Sequence, residues 1–143
     1  MARIQTDRFG ELEYLDESTL FFPRGLPGFD NCRAFVVIED PQWTPLVHLQ
    51  SLEHADVCFL ALPARCVDPQ YTADVSGDDA AVVGTASNRL ELALLAPAED
   101  GHLTANLLAP IVINLTTRQA VQAVRCDMRY SHQQELAGGA QCS

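Results

Sequence analysis

The side chains best equipped for chemistry are His48, His54, Cys58 and Cys66, and their spacing serves it poorly. The two histidines lie six residues apart across an expected strand end, with both thiols downstream, a pattern that matches no tight zinc set. A catalyst made of Cys58 and His48 meets a further obstacle. Cys58 stands in the apolar run Val57-Cys58-Phe59-Leu60-Ala61-Leu62, where burial raises a thiol's pKa and keeps it inert. No G-x-G-x-x-G, G-x-x-x-x-G-K-S/T, H-E-x-x-H or G-x-S-x-G occurs, and the absence of lysine removes Schiff-base and P-loop lysine chemistry. These residues read as a strand-end histidine, a loop histidine and two buried thiols. No catalytic residue, cofactor or metal is expected.

Charge says more. Nineteen Asp and Glu face nine basic residues, all arginine, for a net charge of −10 and a pI near 4.6. Such a chain repels phosphate backbones at long range, so direct nucleic-acid binding is not expected and a basic protein partner fits better. Asp68, Asp74, Asp78 and Asp79 form an acidic stretch with no base between Arg65 and Arg89. Two accounts apply: ordinary solvation of a wet face, or a docking field that steers a basic partner. The apolar segment Leu103 to Pro110, interrupted by Asn106, reads either as a connection covering the core or as a loop that anchors a partner through Asn106, Leu107 and Leu108.

The elements that must position these groups are mostly short strands. At 143 residues, 48 % hydrophobic and 20 % charged, the chain has the length and make-up of one globular domain. Leu12 and Tyr14 alternate with Glu11 and Glu13 after Asp7-Arg8-Phe9-Gly10, so residues 3–15 read as a hairpin. Pro27-Gly28 suits the centre of a type II turn. Further strands are expected at 34–38, 46–49, 57–62, 90–94, 111–113 and 119–126, and a single short helix at 77–87 capped by Ser76. The fold class is therefore all-β, mainly antiparallel: one small barrel-like or sandwich domain over residues 1–132, with 133–143 as a loose tail. The five cysteines make an odd count without a C-x-x-C pair, so reduced thiols are expected. No signal peptide and no membrane span is visible, which points to the cytoplasm.

Several blocks together resemble the flagellar assembly factor FliW family. They are Ile4-Gln5-Thr6 with Phe9-Gly10-Glu11, Phe22-Pro23-Arg24-Gly25-Leu26-Pro27-Gly28-Phe29, Leu49-Gln50-Ser51, and Thr104-Ala105-Asn106-Leu107-Leu108-Ala109-Pro110-Ile111-Val112-Ile113-Asn114. The resemblance runs in unbroken order over residues 3–132. It implies a non-enzymatic protein with two alternative partners, cytoplasmic flagellin and the RNA-binding translational repressor CsrA. Antagonism of CsrA would relieve repression of flagellin translation. The alternative is a dedicated flagellin chaperone without translational control. A monomer is expected. The chain departs from the family pattern at Val47-His48, where an aromatic commonly stands, and in the aromatic-poor stretch from Pro63 to Tyr71.

Overall fold

The computed structural model describes residues 2–29, 31–75, 77–84 and 88–136. β1 (Ala2–Thr6) and β2 (Gly10–Tyr14) form the expected hairpin, with Thr6 opposite Gly10. The Thr6 hydroxyl donates to the Gly10 carbonyl and accepts the Phe9 N–H, both at 2.9 Å, while Gly10 takes φ +63° to turn the chain. This two-stranded unit is fastened to the rest by Phe9, whose ring meets His48 edge-on at 5.2 Å, and by the Asp7 N–H to the Ala55 carbonyl at 3.0 Å.

The main sheet is antiparallel throughout. It comprises β3 (Thr19–Phe21), β4 (Ala34–Glu39), β5 (Val47–Ser51), β6 (Cys58–Pro63), β7 (Arg89–Pro97), β8 (Leu103–Ala105), β9 (Ile111–Asn114), β10 (Ala120–Gln122) and β11 (Gln134–Glu135). The principal order is β10-β9-β7-β6-β5-β4-β3, with β8 pairing the far half of β7 and β11 pairing β8. The sheet curls until its ends touch. Phe21 donates its N–H to the Arg118 carbonyl at 2.9 Å and forms one parallel bridge with Gln119. No ladder continues from that bridge, so the barrel-like form is a curled open sheet rather than a closed barrel.

Strand alternation divides the apolar residues into two clusters. Leu92, Ile111, Ile113 and Ala120 join Leu20, Phe22, Phe35 and Leu49 inside the curl, where Phe22 and Phe35 meet edge-to-face at 5.4 Å. Their neighbours Ala93, Val112 and Val121 face outward, into a second cluster with Ala64, Tyr71, Val83, Ala105 and Leu107. Small side chains dominate this outer cluster, which lets the covering layer pack close to the sheet.

That layer departs from the sequence expectations in several places. Among the described residues two short α-helices occur rather than one, α1 (Ala64–Val67), begun by Pro63, and α2 (Gly77–Val83), besides single 3-10 turns at Asp16–Ser18 and Pro41–Trp43. Four residues carry too little periodicity to mark α1 in advance. Ser76 and residues 85–87, expected to cap and finish the second helix, lie outside the described residues. The strand expected over 119–126 ends at Gln122. Beyond it the chain follows a loop instead, through Ala123 N–H to Pro110 O at 3.0 Å and Arg125 N–H to Leu108 O at 2.8 Å. β3, β8 and β11 are two to three residues long and were not expected as strands. Within the segment expected as a tail, Gln134 and Glu135 pair with Ala105 and Thr104 as β11; residues 137–143 lie outside the described residues.

Candidate partner-binding surface

Among the described residues, His48 and Cys58 do not form an activated pair. Burial, with Arg8 nearby, pushes the His48 imidazole below its ordinary pKa, and burial pushes the Cys58 thiol up against the opposing pull of Arg8. A reluctant base beside a reluctant acid is the reverse of an activated Cys–His pair. Among the described residues, no group of three or more His, Cys, Asp and Glu is placed to hold a metal ion. Cys32, Cys58 and Cys126 are free thiols. Cys66 is buried in α1.

The acidic stretch lies in the outer layer, and most of it is engaged in structure. Asp68 accepts the Gln70 N–H at 2.9 Å and the Tyr130 hydroxyl at 2.7 Å, and these donors hold its carboxyl below the usual range. Asp74 accepts the Cys126 N–H at 3.2 Å. Asp79 pairs with Arg24, tying α2 to the proline–glycine turn, where Gly28 takes φ +82° and the Phe29 N–H donates to Leu26 O at 2.8 Å. Asp78, exposed in the first turn of α2, makes no ion pair among the described residues.

Arg125 fastens this layer, a role sequence reasoning missed. Its guanidinium lies 5.3 Å from the Tyr71 ring centre and 5.1 Å from that of Tyr130, which are themselves 4.8 Å apart. It donates to both Asp127 oxygens, at 2.9 and 2.8 Å, and to the Thr72 carbonyl, and its side chain is only 6 % exposed. The fork drives the Asp127 carboxyl down to about 2 and raises the pKa of Arg125. A planar cation packed against two aromatic rings and held by a bidentate carboxylate uses guanidinium geometry that an ammonium cannot match.

The Asn-Leu-Leu-Ala-Pro block has a geometric cause. Leu95 stands opposite Ala105 and Leu92 opposite Ile111, so residues 106–110 span a gap that β7 covers with residues 93 and 94. The surplus chain loops out over the outer cluster. Asn106 Oδ1 accepts the Ala109 N–H at 2.9 Å and closes the loop. Leu107 is fully buried, and its carbonyl accepts the Tyr71 hydroxyl at 2.6 Å. The expectation that Leu107 offers an apolar contact to a partner is therefore corrected: the residue is core. Leu108 is half-buried.

Two apolar side chains expected by no sequence argument are exposed beyond this loop, Val124 at 59 % and Met128 at 95 %. They follow β10 on the segment that carries Arg125 and Asp127, whose side chains line a shallow depression with Asp74 and Tyr130. The structure thus brings Asp68, Asp74, Leu107 and Leu108 together through Tyr71, Tyr130 and Arg125, and places Asp78 and Asp79 on α2 of the same layer.

The comparisons agree with this geometry. Residues 3–136 match the family model described as FliW protein. A flagellar assembly factor FliW of Heliobacterium modesticaldum is 34 % identical over 137 residues, covering 94 % of this chain and 90 % of the relative. That of Bdellovibrio bacteriovorus is 37 % identical over 127 residues, covering 87 % and 73 %. A solved structure, a crystal structure of the flagellar assembly factor FliW, superposes with a TM-score of 0.82 at 26 % identity, covering 94 % of this chain and 96 % of that one. The curled antiparallel sheet, its proline–glycine turn and its looped Asn-Leu-Leu-Ala-Pro block therefore belong to a member of the FliW family of flagellar assembly factors.

Proposed function

We propose that this protein is a cytoplasmic, non-enzymatic partner switch that binds flagellin and the translational repressor CsrA in alternation. The observation that carries the reading is the outer layer itself. On a chain of net charge −10, it sets carboxylates beside the exposed side chains of Val124 and Met128. Asp68, Asp74, Asp78 and Asp79, with Asn106 and Leu108 at the border, form the partner-facing surface. The charge steers and orients; apolar contact supplies the hold.

The switch works by mass action. Unsecreted flagellin occupies the protein; as flagellin leaves by export, free protein accumulates and captures CsrA. A repressor that grips RNA phosphates presents basic surface, which suits an acidic partner by sign. Once bound, the acidic protein repels RNA from the repressor even without covering its RNA site. Relief of CsrA repression then raises flagellin translation. A pull-down at moderate salt with purified flagellin and purified CsrA tests this. Capture of both supports the switch, capture of flagellin alone leaves a dedicated chaperone, and capture of neither ends the reading.

A further inference from the structure

The end of the curled sheet where β3, β5, β7 and β10 begin is open. A cleft of about 720 Å³ sinks there to the inner cluster, floored by Leu20, Val47, Leu92 and Ile113. Leu90 and Leu115 line its mouth at 38 % and 45 % exposure. Trp43, 56 % exposed, immediately precedes the Thr44–Leu46 stretch of the wall. A smaller depression adjoins it through Ser18, Val37 and Glu39 and includes Leu15, itself 47 % exposed. Three large exposed apolar side chains, Leu15, Leu90 and Leu115, thus line one groove, with Trp43 next to its wall in sequence, the kind of patch that marks a binding surface.

The charge of the lining selects the occupant. Glu39 stands where the two depressions meet and makes no ion pair among the described residues; Glu13 lines the smaller one, held by Arg3 at 3.3 Å. Asp16, Glu17 and Asp40 adjoin these lining residues in sequence, and among the described lining residues Arg118 is the one cation against Glu13 and Glu39. A second copy of this chain would bring its own charge of −10 against that rim. Residues 137–143, Ala-Gly-Gly-Ala-Gln-Cys-Ser, hold no bulky side chain able to fill the cleft.

We propose that this groove anchors a bulky apolar side chain of the basic partner, with a neighbouring lysine or arginine of that partner pairing with Glu39. The inference rests on the CsrA reading above and gives that partner its anchoring place, apart from the acidic outer layer.

Titration of purified CsrA into the wild type, the Leu90→Gln/Leu115→Gln double variant and Glu39→Lys tests it. All three positions are solvent-facing, and an unchanged thermal midpoint verifies folding. The double variant is expected to bind about tenfold more weakly, through faster dissociation, because truncated anchors act on the off-rate. Glu39→Lys is expected to bind about threefold more weakly, an effect that shrinks with salt. Trp43, the chain's single tryptophan, supplies an independent readout: its acrylamide quenching should fall in the complex, with the partner's own signal subtracted. Wild-type affinity in both variants overturns the inference, as does unaltered Trp43 quenching at saturation. Loss of flagellin binding with CsrA binding intact also overturns it, by assigning the groove another occupant. Failure of the wild type to bind CsrA at all contradicts the partner reading and removes the inference with it.

Discussion

Carboxylates stand both in the outer layer and around the groove at the open end of the sheet, yet the two regions use them differently. In the outer layer Asp68, Asp74, Asp79 and Asp127 each accept a hydrogen bond or ion pair that fixes a segment of chain, and Leu107 is sealed beneath them. Around the groove Glu13 pairs with Arg3 and Asp40 accepts the Gln42 N–H, but Glu39 makes no ion pair among the described residues, and Leu90 and Leu115 face solvent. Counting acids in the sequence therefore overstates how many are available to a partner. A carboxylate holding its own chain still contributes long-range field, but it moves little to meet an incoming cation.

The contrast is most exposed at adjacent leucines. Leu107→Ala should cost about 3 kcal/mol in urea unfolding, because the emptied site lies among packed small residues that cannot collapse into it. Leu108→Ala, at a half-buried position, should cost under about 1 kcal/mol. Equal costs would mean that the loop does not seal the outer cluster.

Arg125→Ala comes next, at about 2 kcal/mol, from loss of two ring contacts and the bidentate carboxylate around a side chain that is almost wholly buried. Hydrogen exchange should quicken selectively over residues 123–131. Uniform quickening across the sheet would show that Arg125 is not a local fastener.

A pH titration sharpens the same point. Asp68 and Asp127 have folded pKa values depressed below those of the unfolded chain, to about 2 for Asp127. Their stabilisation is therefore present above about pH 4 and drains away as pH falls toward 2. The variant Asp127→Asn should flatten that acid limb of the stability curve. An identical slope in wild type and Asp127→Asn would place the acid sensitivity elsewhere.

The smallest effect is kinetic. Asp78→Lys should slow CsrA association about threefold at low salt and hardly at all at high salt, since a single exposed charge acts through the screened field. A change confined to dissociation would make Asp78 a direct contact.

Much of the scaffold was legible in the sequence where alternation or turn chemistry is strong. Gly10 and Pro27-Gly28 announced their turns, and the Leu90-Leu92-Leu94 alternation announced β7. What escaped was short or held from outside. α1 spans four residues, β8 three and β11 two, and β11 exists only through pairing with distant chain, Gln134 opposite Ala105. The loop from Asn106 to Pro110 was visible as an apolar interruption. Which of its leucines faces inward depends on the offset between β8 and β9 along β7, and no local pattern encodes that offset. Arg125 could not be singled out for the same reason, since its rings arrive from residues 71 and 130. Nor could the groove, whose walls come from strands scattered between residues 18 and 118.

The central claim is that one acidic, strand-built surface system is passed between two proteins. The direct measurement starts from CsrA saturated with labelled flagellin messenger RNA, adds this protein until RNA anisotropy changes, then adds monomeric flagellin. The account predicts release of RNA in the first step and its recapture in the second. RNA that stays bound at every concentration of this protein, or that is released and not recaptured by excess flagellin, would contradict it.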